Sequence, residues 1–291
     1  MVNAVIFGSK GMLARALAAE LKTAAIDFVG YDLPECDLTR PADVAAIFQK
    51  HQPRLIFNCA AFTKVDLCEQ QEKIAELVNG NAVGTLAEMA KAHGFKLIHI
   101  STDFVFDGKG TRPYQPGDKP APISAYGRSK LLGETLLQKV NPPGFAIIRT
   151  AWLYGVGGAS FPRTMVEVAR QNKPLRVVSD QVGCPTYTAD LAKVMVAIAQ
   201  STAEGIFHCT NSEPTNWHEF ARETLQQFQV PAELTAISSD EYQKMRPSAA
   251  PRPSYSVLDC SSLEAAIGKK IRPWKEALGD FTKAVNANGG F

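Results

Sequence analysis

The 291-residue sequence has little net charge and no long apolar run. Lys and Arg total 31 against 29 for Asp and Glu, a formal charge of +2, which argues against a nucleic-acid or membrane surface. No apolar stretch approaches the roughly 18 residues that a membrane span needs. The N-terminal MVNAVIFG also lacks the basic segment and cleavage site of a leader peptide, so we expect a soluble cytoplasmic protein.

The usual metal-binding and disulfide patterns are missing as well. Six cysteines occur without a CxxC pair, and five histidines occur without an HExxH motif. A metal site is therefore not expected, and free thiols in a reducing compartment are predicted. His99 in an apolar strand, Trp217 and Trp274 are interpreted as core residues.

The first half of the chain alternates short apolar runs with helical stretches. Continuous apolar strands indicate burial on both faces, and their alternation with helices predicts an α/β protein with a Rossmann-type, doubly wound parallel sheet. The expected strands are Ala4–Phe7, Phe28–Tyr31, Leu55–Cys59, Lys96–Ile100 and Phe145–Ile148.

After about residue 150, frequent prolines interrupt this rhythm. We therefore expect a dinucleotide-binding domain over residues 1–150, with residues 151–291 forming mostly a smaller lobe that binds substrate. Leu191–Gln200 is a segment that could return to the main sheet, and the isolated strand Gly205–Cys209 is assigned to the lobe. The end of the chain, Asn286–Phe291, is predicted to be frayed.

A glycine-rich turn follows the first strand and opens a helix. In Gly8-Ser9-Lys10-Gly11-Met12-Leu13-Ala14, Gly8 permits a sharp turn and Gly11 lets the backbone approach a pyrophosphate. The small side chain of Ala14 lets the helix pack closely on the strand, and the N–H groups of the helix start face the anion. The GxxGxxA spacing resembles that of extended short-chain dehydrogenases, and this resemblance implies NADPH or NADH as the cofactor.

Asp32 follows the second strand and lies 24 residues beyond Gly8. A carboxylate there can accept hydrogen bonds from the adenosine ribose, which favours NADH, although Arg40 or Arg15 could compensate for a 2′-phosphate. Asp37 with Leu38 is a candidate edge of the adenine site, and a turn or N-cap role for Asp37 is the alternative.

Tyr126 and Lys130 form a YxxxK motif within a helical stretch. Positions i and i+4 share one helix face, so the phenol and the ammonium are expected to face one cleft, where Lys130 would lower the pKa of the tyrosine. Thr102 follows a predicted strand, where parallel α/β proteins bind ligands. A helix or turn cap is the alternative role for this hydroxyl.

Five further segments make the pattern specific, and together they resemble the dTDP-4-dehydrorhamnose reductase family. They are NCAAFTKVD at 58–66, STDFVFDG at 101–108, RTAWLYG at 149–155, DQVGCPT at 180–186 and RPSYSVLD at 252–259. Phe62, Lys64 and Ser160 depart from the residues that are usual there. A homodimer is compatible with the resemblance, but the carboxylates that bind a divalent cation in some members are not recognisable here.

The resemblance also implies roles for individual residues. It implies catalysis by Thr102, Tyr126 and Lys130, and places Asp103, Trp152, Gln181 and Arg252 near a sugar nucleotide. Its implied cofactor contacts are Gly11, Met12, Leu13, Asp32, Asp37, Leu38, Ala61, Phe62, Thr63 and Asn79, with Tyr126 and Lys130 touching the nicotinamide side.

The activity that the resemblance implies is NAD(P)H-dependent reduction of the C4 ketone of a nucleotide-activated 6-deoxy sugar, foremost dTDP-4-dehydro-L-rhamnose to dTDP-L-rhamnose. A nucleotide-sugar epimerase or dehydratase is one alternative, since it uses the same turn and YxxxK pair. A non-catalytic regulatory subunit with a retained cofactor site is the other.

Overall fold

The computed structural model describes residues 3–291. Six strands form one parallel sheet in the order β10-β5-β4-β3-β1-β2. These strands are β1 Ala4–Phe7, β2 Phe28–Tyr31, β3 Leu55–Asn58, β4 Lys96–Thr102, β5 Ala146–Thr150 and β10 Gly205–His208. The short remaining strands pair as β6 Leu153–Tyr154 with β9 Thr186–Tyr187, β7 Leu175–Val178 with β12 Leu234–Ile237, and β8 Val182–Gly183 with β11 Thr215–Asn216.

Helices cover both faces of the six-stranded sheet and build the smaller lobe. They are α1 Met12–Thr23, α2 Pro41–His51, α3 Val65–Gln70, α4 Glu72–Ala75, α5 Ala82–His93, α6 Ala125–Val140, α7 Phe161–Arg170, α8 Thr188–Gln200, α9 Trp217–Gln227, α10 Ser239–Met245, α11 Ser261–Ile267 and α12 Trp274–Ala287. A π-helical segment, Glu76–Asn81, joins α4 to α5. None of the helices in residues 3–291 has the length and apolarity needed to cross a membrane.

The apolar spacing of the helices explains the two layers. In α1 the buried residues Leu13, Leu17 and Leu21 recur every four positions and pack with α8 on one face of the sheet. On the other face, side chains of α2, α5 and α6 such as Phe48 and Leu137 form a second core. The expected doubly wound α/β sheet is confirmed.

Two expectations for the second half of the chain were wrong. The strand at 205–208 is no part of the smaller lobe, because β10 pairs with β5 as an edge of the main sheet. The chain end is not frayed either, since α12 continues to Ala287 and the ring of Phe291 packs 5.1 Å from that of Phe228. Both errors have one cause: long-range packing partners leave no local signal in the sequence.

The smaller lobe has a separate aromatic core. Tyr154, Phe220, Trp274 and Phe281 are fully or almost fully buried there, and their rings meet at centroid distances of 5.2 to 5.6 Å. This core holds α7, α9 and α12 beside the carboxyl ends of the main strands. The lobe thereby forms one wall of a cleft.

Candidate active site

A cleft of about 740 Å³ opens at the carboxyl ends of the main strands. It lies where the strand order reverses between β1 and β3, the place where open parallel sheets bind ligands. Most residues singled out in the sequence line this cleft. They are Gly8, Gly11, Met12, Leu13, Asp32, Asp37, Leu38, Ala61, Thr63, Thr102, Asp103, Tyr126, Lys130 and Trp152.

The glycine turn has the shape that a dinucleotide needs. Gly8 has a φ of +75°, and a Cβ at this position would lie 2.6 Å from the backbone nitrogen of Ala60. Only glycine therefore fits between β1 and the loop after β3. Gly11 is the N-cap of α1 and leaves the helix start without a side-chain cap, so the positive end of the helix dipole faces the cleft. These residues fit a pyrophosphate.

Asp32 is held rigidly at the end of β2. Its carboxylate accepts hydrogen bonds from the backbone N–H of Lys10 at 2.9 Å and of Leu33 at 2.8 Å. Asp37 lines the cleft and also accepts from the N–H and hydroxyl of Thr39, which lowers the pKa of Asp37. Asp37 therefore stabilises the turn, as one alternative predicted, and also lines the cleft.

The cation at the Asp32 end of the cleft is that of Lys10, which was not predicted from the sequence. Arg40 pairs with Asp37 at 3.6 Å, and Arg15 donates to the carbonyl of Gly157 at 2.7 Å. The Lys10 ammonium lies 3.1 Å from a Glu35 carboxylate oxygen, in the turn that Asp32 anchors. A lysine inside a glycine turn is the signal that could have identified it.

Thr102 and Tyr126 come together from two elements. Thr102 ends β4, where its hydroxyl donates to an Asp103 carboxylate oxygen at 2.9 Å and accepts from the N–H of Phe104 at 3.2 Å. Tyr126 lies in the first turn of α6, which the Ser124 hydroxyl caps by accepting the N–H of Gly127. Burial, followed by the negative charge of Asp103, raises the pKa of Tyr126. Its phenol is protonated at neutral pH and can donate a proton.

Lys130 has different partners from those expected. Its Nζ donates to the carbonyl of Ile100 at 2.6 Å and lies 3.3 Å from His99 Nε2. Burial lowers the pKa of Lys130 to about 8. From the sequence, this ammonium was expected to lower the pKa of Tyr126, whereas in the structure the desolvation of the phenol dominates.

A buried ion pair fixes the helix that carries Tyr126 and Lys130. Glu134, one turn beyond Lys130, accepts hydrogen bonds from Arg149 Nε at 2.9 Å and Nη2 at 2.7 Å, and also from the Ser101 hydroxyl. Glu134 and Arg149 are at most 2% exposed. This pair was not predicted from the sequence, although the spacing of 126, 130 and 134 places three polar residues on one helix face.

Four predicted residues lie outside the cleft lining. Asn79, in the π-helical segment, bonds the backbone N–H and carbonyl of Phe62 at 2.7 and 3.1 Å and donates to the Ser129 hydroxyl. Asn79 thus holds the 61–63 loop through both backbone groups of Phe62. Gln181 donates to the Ser239 hydroxyl at 3.0 Å.

Arg252 is the fourth of these residues, and it is already paired. Its Nη2 lies 2.9 Å from an Asp66 carboxylate oxygen, and its Nη1 donates to the carbonyl of Ala250 at 2.9 Å. These contacts tie the proline-rich stretch of the smaller lobe to α3. These two hydrogen bonds occupy part of the donor set of the guanidinium, and its remaining N–H groups are available to a phosphate.

Trp152 forms the lobe side of the cleft and is stacked on Trp217, with ring centroids 3.7 Å apart and planes at 13°. Trp152 has a φ of +49°, which is unusual for a bulky residue and is held by this packing. A Cβ at Gly183 would lie 2.7 Å from the Trp152 ring. Trp217, interpreted from the sequence as a core residue, therefore sets the orientation of a cleft residue.

Fold and site together define a class: a Rossmann-type α/β protein whose glycine turn and Tyr126–Lys130 pair share one cleft, as in short-chain dehydrogenases/reductases. The chain belongs to the family described as RmlD substrate binding domain, whose sequence profile matches residues 2–287.

Curated relatives match over nearly the whole chain. A spore coat polysaccharide biosynthesis protein, SpsK, of Bacillus subtilis is 37% identical over 281 residues, 97% of each chain. A dTDP-4-dehydrorhamnose reductase of Streptomyces griseus is 36% identical, covering 98% of this chain and 95% of the relative.

Solved structures of similar proteins match this chain over nearly its whole length. A dTDP-4-dehydrorhamnose reductase from Clostridium acetobutylicum is 36% identical with a TM-score of 0.92, covering 98% of this chain and 99% of that one. A Bacillus anthracis dTDP-4-dehydrorhamnose reductase in complex with NADP is 32% identical with a TM-score of 0.91, covering 97% and 99%. A Thermotoga maritima UDP-glucose 4-epimerase with a TM-score of 0.83 is only 16% identical and shares the fold.

Proposed function

We propose that this protein reduces the C4 ketone of a dTDP-linked 4-keto-6-deoxy sugar with NADPH or NADH, with dTDP-4-dehydro-L-rhamnose as the foremost substrate and dTDP-L-rhamnose as its product. The observation that carries the proposal is the meeting of Thr102, Tyr126 and Lys130 in the cleft that also contains the glycine turn. The names of the relatives agree with this reaction.

The cofactor supplies the hydride when it is bound. Gly11, Met12 and Leu13 would hold its pyrophosphate at the start of α1, because the backbone there is uncapped. Asp32 would accept a ribose hydroxyl, and Ala61 and Thr63 would border the nicotinamide side. The Lys10 ammonium, which pairs with Glu35 and donates to the carbonyl of Leu33 next to Asp32, gives this end of the cleft a cation for a 2′-phosphate, which supports use of NADPH as well as NADH.

The catalytic proton comes from Tyr126 in this proposal. Its phenol is protonated at neutral pH because burial raises its pKa, so it can protonate the oxygen that gains charge as the ketone is reduced. The Thr102 hydroxyl hydrogen-bonds the same oxygen. Lys130, one helical turn from Tyr126, would hold the ribose of the bound cofactor, and in its charged form it would attract the tyrosinate that remains after the transfer.

The substrate would lie between the main sheet and the smaller lobe. We assign residues 151–291 mostly to substrate binding, with β10 and α8 returning to the main domain. Trp152 offers an aromatic face to the sugar, and Asp103 has a buried carboxylate oxygen without a hydrogen-bond partner in the described chain. Gln181 and Arg252 would contribute to substrate binding from the smaller lobe.

The direct test is to incubate the protein with dTDP-4-keto-6-deoxy sugars and follow NADH and NADPH oxidation separately. Tyr126→Phe should lower turnover about 100-fold or more while leaving cofactor affinity intact. Tyr242→Phe, at a half-buried position outside the cleft lining, is the control and should retain activity.

Each alternative has a distinct signature in that assay. Sugar conversion with tightly retained NAD and without net cofactor oxidation would identify an epimerase or dehydratase. No oxidation with any keto sugar, together with a copurifying partner, would identify a regulatory subunit. Wild-type turnover of Tyr126→Phe would refute the assignment of the proton donor.

A further inference from the structure

A row of three buried polar side chains runs from β3 through β4 to the cleft. Asn58 and His99 are register partners on neighbouring strands, and their Nδ2 and Nδ1 atoms lie 3.1 Å apart. His99 Nε2 then lies 3.3 Å from Lys130 Nζ. All three residues are at most 2% exposed, so each hydrogen-bonding atom needs a partner within the protein.

The orientation of the Asn58 amide is fixed by the loop that follows β3. The backbone N–H of Ala60 donates to Asn58 Oδ1 at 3.1 Å. With the amide turned around, its NH₂ group would face that N–H and two donors would meet. The NH₂ group of Asn58 therefore points at His99.

This orientation determines the tautomer of His99. Nδ1 must accept the hydrogen bond from Asn58, so in the neutral ring the proton is on Nε2. Burial and the charge of Lys130 lower the pKa of His99 well below its ordinary value, so the ring is neutral. The Nε2–H group then points at Lys130 Nζ.

An ammonium cannot accept this hydrogen bond, but a neutral amine can. With Lys130 neutral, the chain of bonds is complete: Asn58 donates to His99, His99 donates to the amine, and the amine donates to the Ile100 carbonyl. With Lys130 charged, the Nε2–H group of His99 faces the N–H groups of the ammonium, and two donors oppose each other. Moving the His99 proton to Nδ1 relieves this contact but places the proton against the NH₂ group of Asn58.

The other groups that face Lys130 do not remove this conflict. Glu134, on the same helix, favours the ammonium, but both of its oxygens already bind Arg149. The Cys59 thiol lies on the loop after β3, and burial raises its pKa, so it carries no charge at neutral pH. Tyr126 is likewise protonated. His99 is thus the neighbour whose proton position depends on that of Lys130.

We propose that His99, held as the Nε2–H tautomer by Asn58, is a positioning residue that disfavours the charged form of Lys130 and links its protonation to the loop at 58–63. This inference rests on the proposed function only for the catalytic role of Lys130. The linkage has a physical route, because a proton on His99 Nδ1 opposes the NH₂ group of Asn58, and the oxygen of the same amide holds the N–H of Ala60, a residue of the cleft wall.

The first experiment needs no variant and no activity. In the wild-type protein labelled with ¹⁵N-histidine, the ring nitrogen shifts of His99 should show a protonated Nε2 and an unprotonated Nδ1 at pH 9, where Lys130 is neutral. In a sample labelled with ¹³C-lysine, the Cε shift of Lys130 should titrate near pH 8. A protonated Nδ1 at pH 9 would overturn the proposal.

The second experiment reverses the hydrogen-bond pattern. His99→Gln can turn its amide oxygen towards the ammonium, and Asn58→Asp accepts from Nδ1–H, which leaves Nε2 free to accept from Lys130. Both variants should raise the Lys130 titration, and the high-pH limb of kcat/KM for reduction, by about one pH unit. His93→Gln, exposed at the end of α5, is the control and should leave both unchanged.

The outcomes separate this inference from the proposed function. If the protein reduces no keto sugar, the proposed function fails, and the lysine titration still tests His99. If both variants leave the Lys130 titration within about 0.2 units of wild type, the inference is refuted even when the enzyme is active. An equal loss of kcat at every pH, without a shift of the limb, would show a merely structural His99 and would also refute it.

Discussion

The buried pair of Glu134 and Arg149 gives the sharpest prediction of stability. The pair joins α6 to β5, and the Ser101 hydroxyl also bonds Glu134 at the end of β4, next to Thr102. We expect Arg149→Met to destabilise the fold and to lower activity together, because it leaves a buried carboxylate unpaired beside the catalytic threonine.

The structure sets the size of this effect. Both side chains are at most 2% exposed, and the loss of one partner of a buried pair costs about 3–5 kcal/mol of unfolding free energy. Domains have in total only about 5–15 kcal/mol, so the variant should be close to its stability limit. The double variant Glu134→Leu with Arg149→Met removes both charges and should recover most of the loss.

Urea denaturation followed by circular dichroism is the suitable assay. Arg163→Ala is the control, because the Arg163–Glu167 pair has a similar distance of 2.7 Å but side chains that are 38% and 43% exposed; its loss should cost less than about 1 kcal/mol. A single variant that loses less than about 1 kcal/mol, or a double variant as unstable as the worse single one, would refute the reasoning.

Three further predictions concern the cleft and the smaller lobe. Asp32→Asn should weaken NADH binding about tenfold and NADPH binding less, as measured by fluorescence titration; equal losses would reject a ribose contact. Burial raises the pKa of Asp103 from 3.8 to about 6, so its charge costs stability above pH 6 and not below about pH 4. Asp103→Asn should therefore be more stable than wild type by about 3 kcal/mol at pH 8, with the difference vanishing near pH 4 in urea melts. Arg252→Ala should raise KM for the sugar nucleotide more than it lowers kcat, with cofactor affinity within about twofold; unchanged affinity for a nucleoside diphosphate would eliminate Arg252 as a phosphate ligand.

The sequence by itself determined the framework of the main domain. Continuous apolar strands and helical stripes such as Leu13, Leu17 and Leu21 are local patterns, and they predict a buried parallel sheet without knowledge of its partners. The glycine turn and the YxxxK pair are equally local, because chain geometry alone places Gly8 at a strand end and Tyr126 and Lys130 on one helix face.

Only the tertiary structure decided which side chains meet. Lys130 was expected to act on Tyr126, yet it contacts His99 and Ile100, and Arg252 pairs with Asp66 of a distant helix. Trp217 gained its place beneath Trp152 in the same way. Such contacts join residues far apart in the chain, and burial changes both their partners and their proton affinities, so periodicity and spacing carry no signal for them.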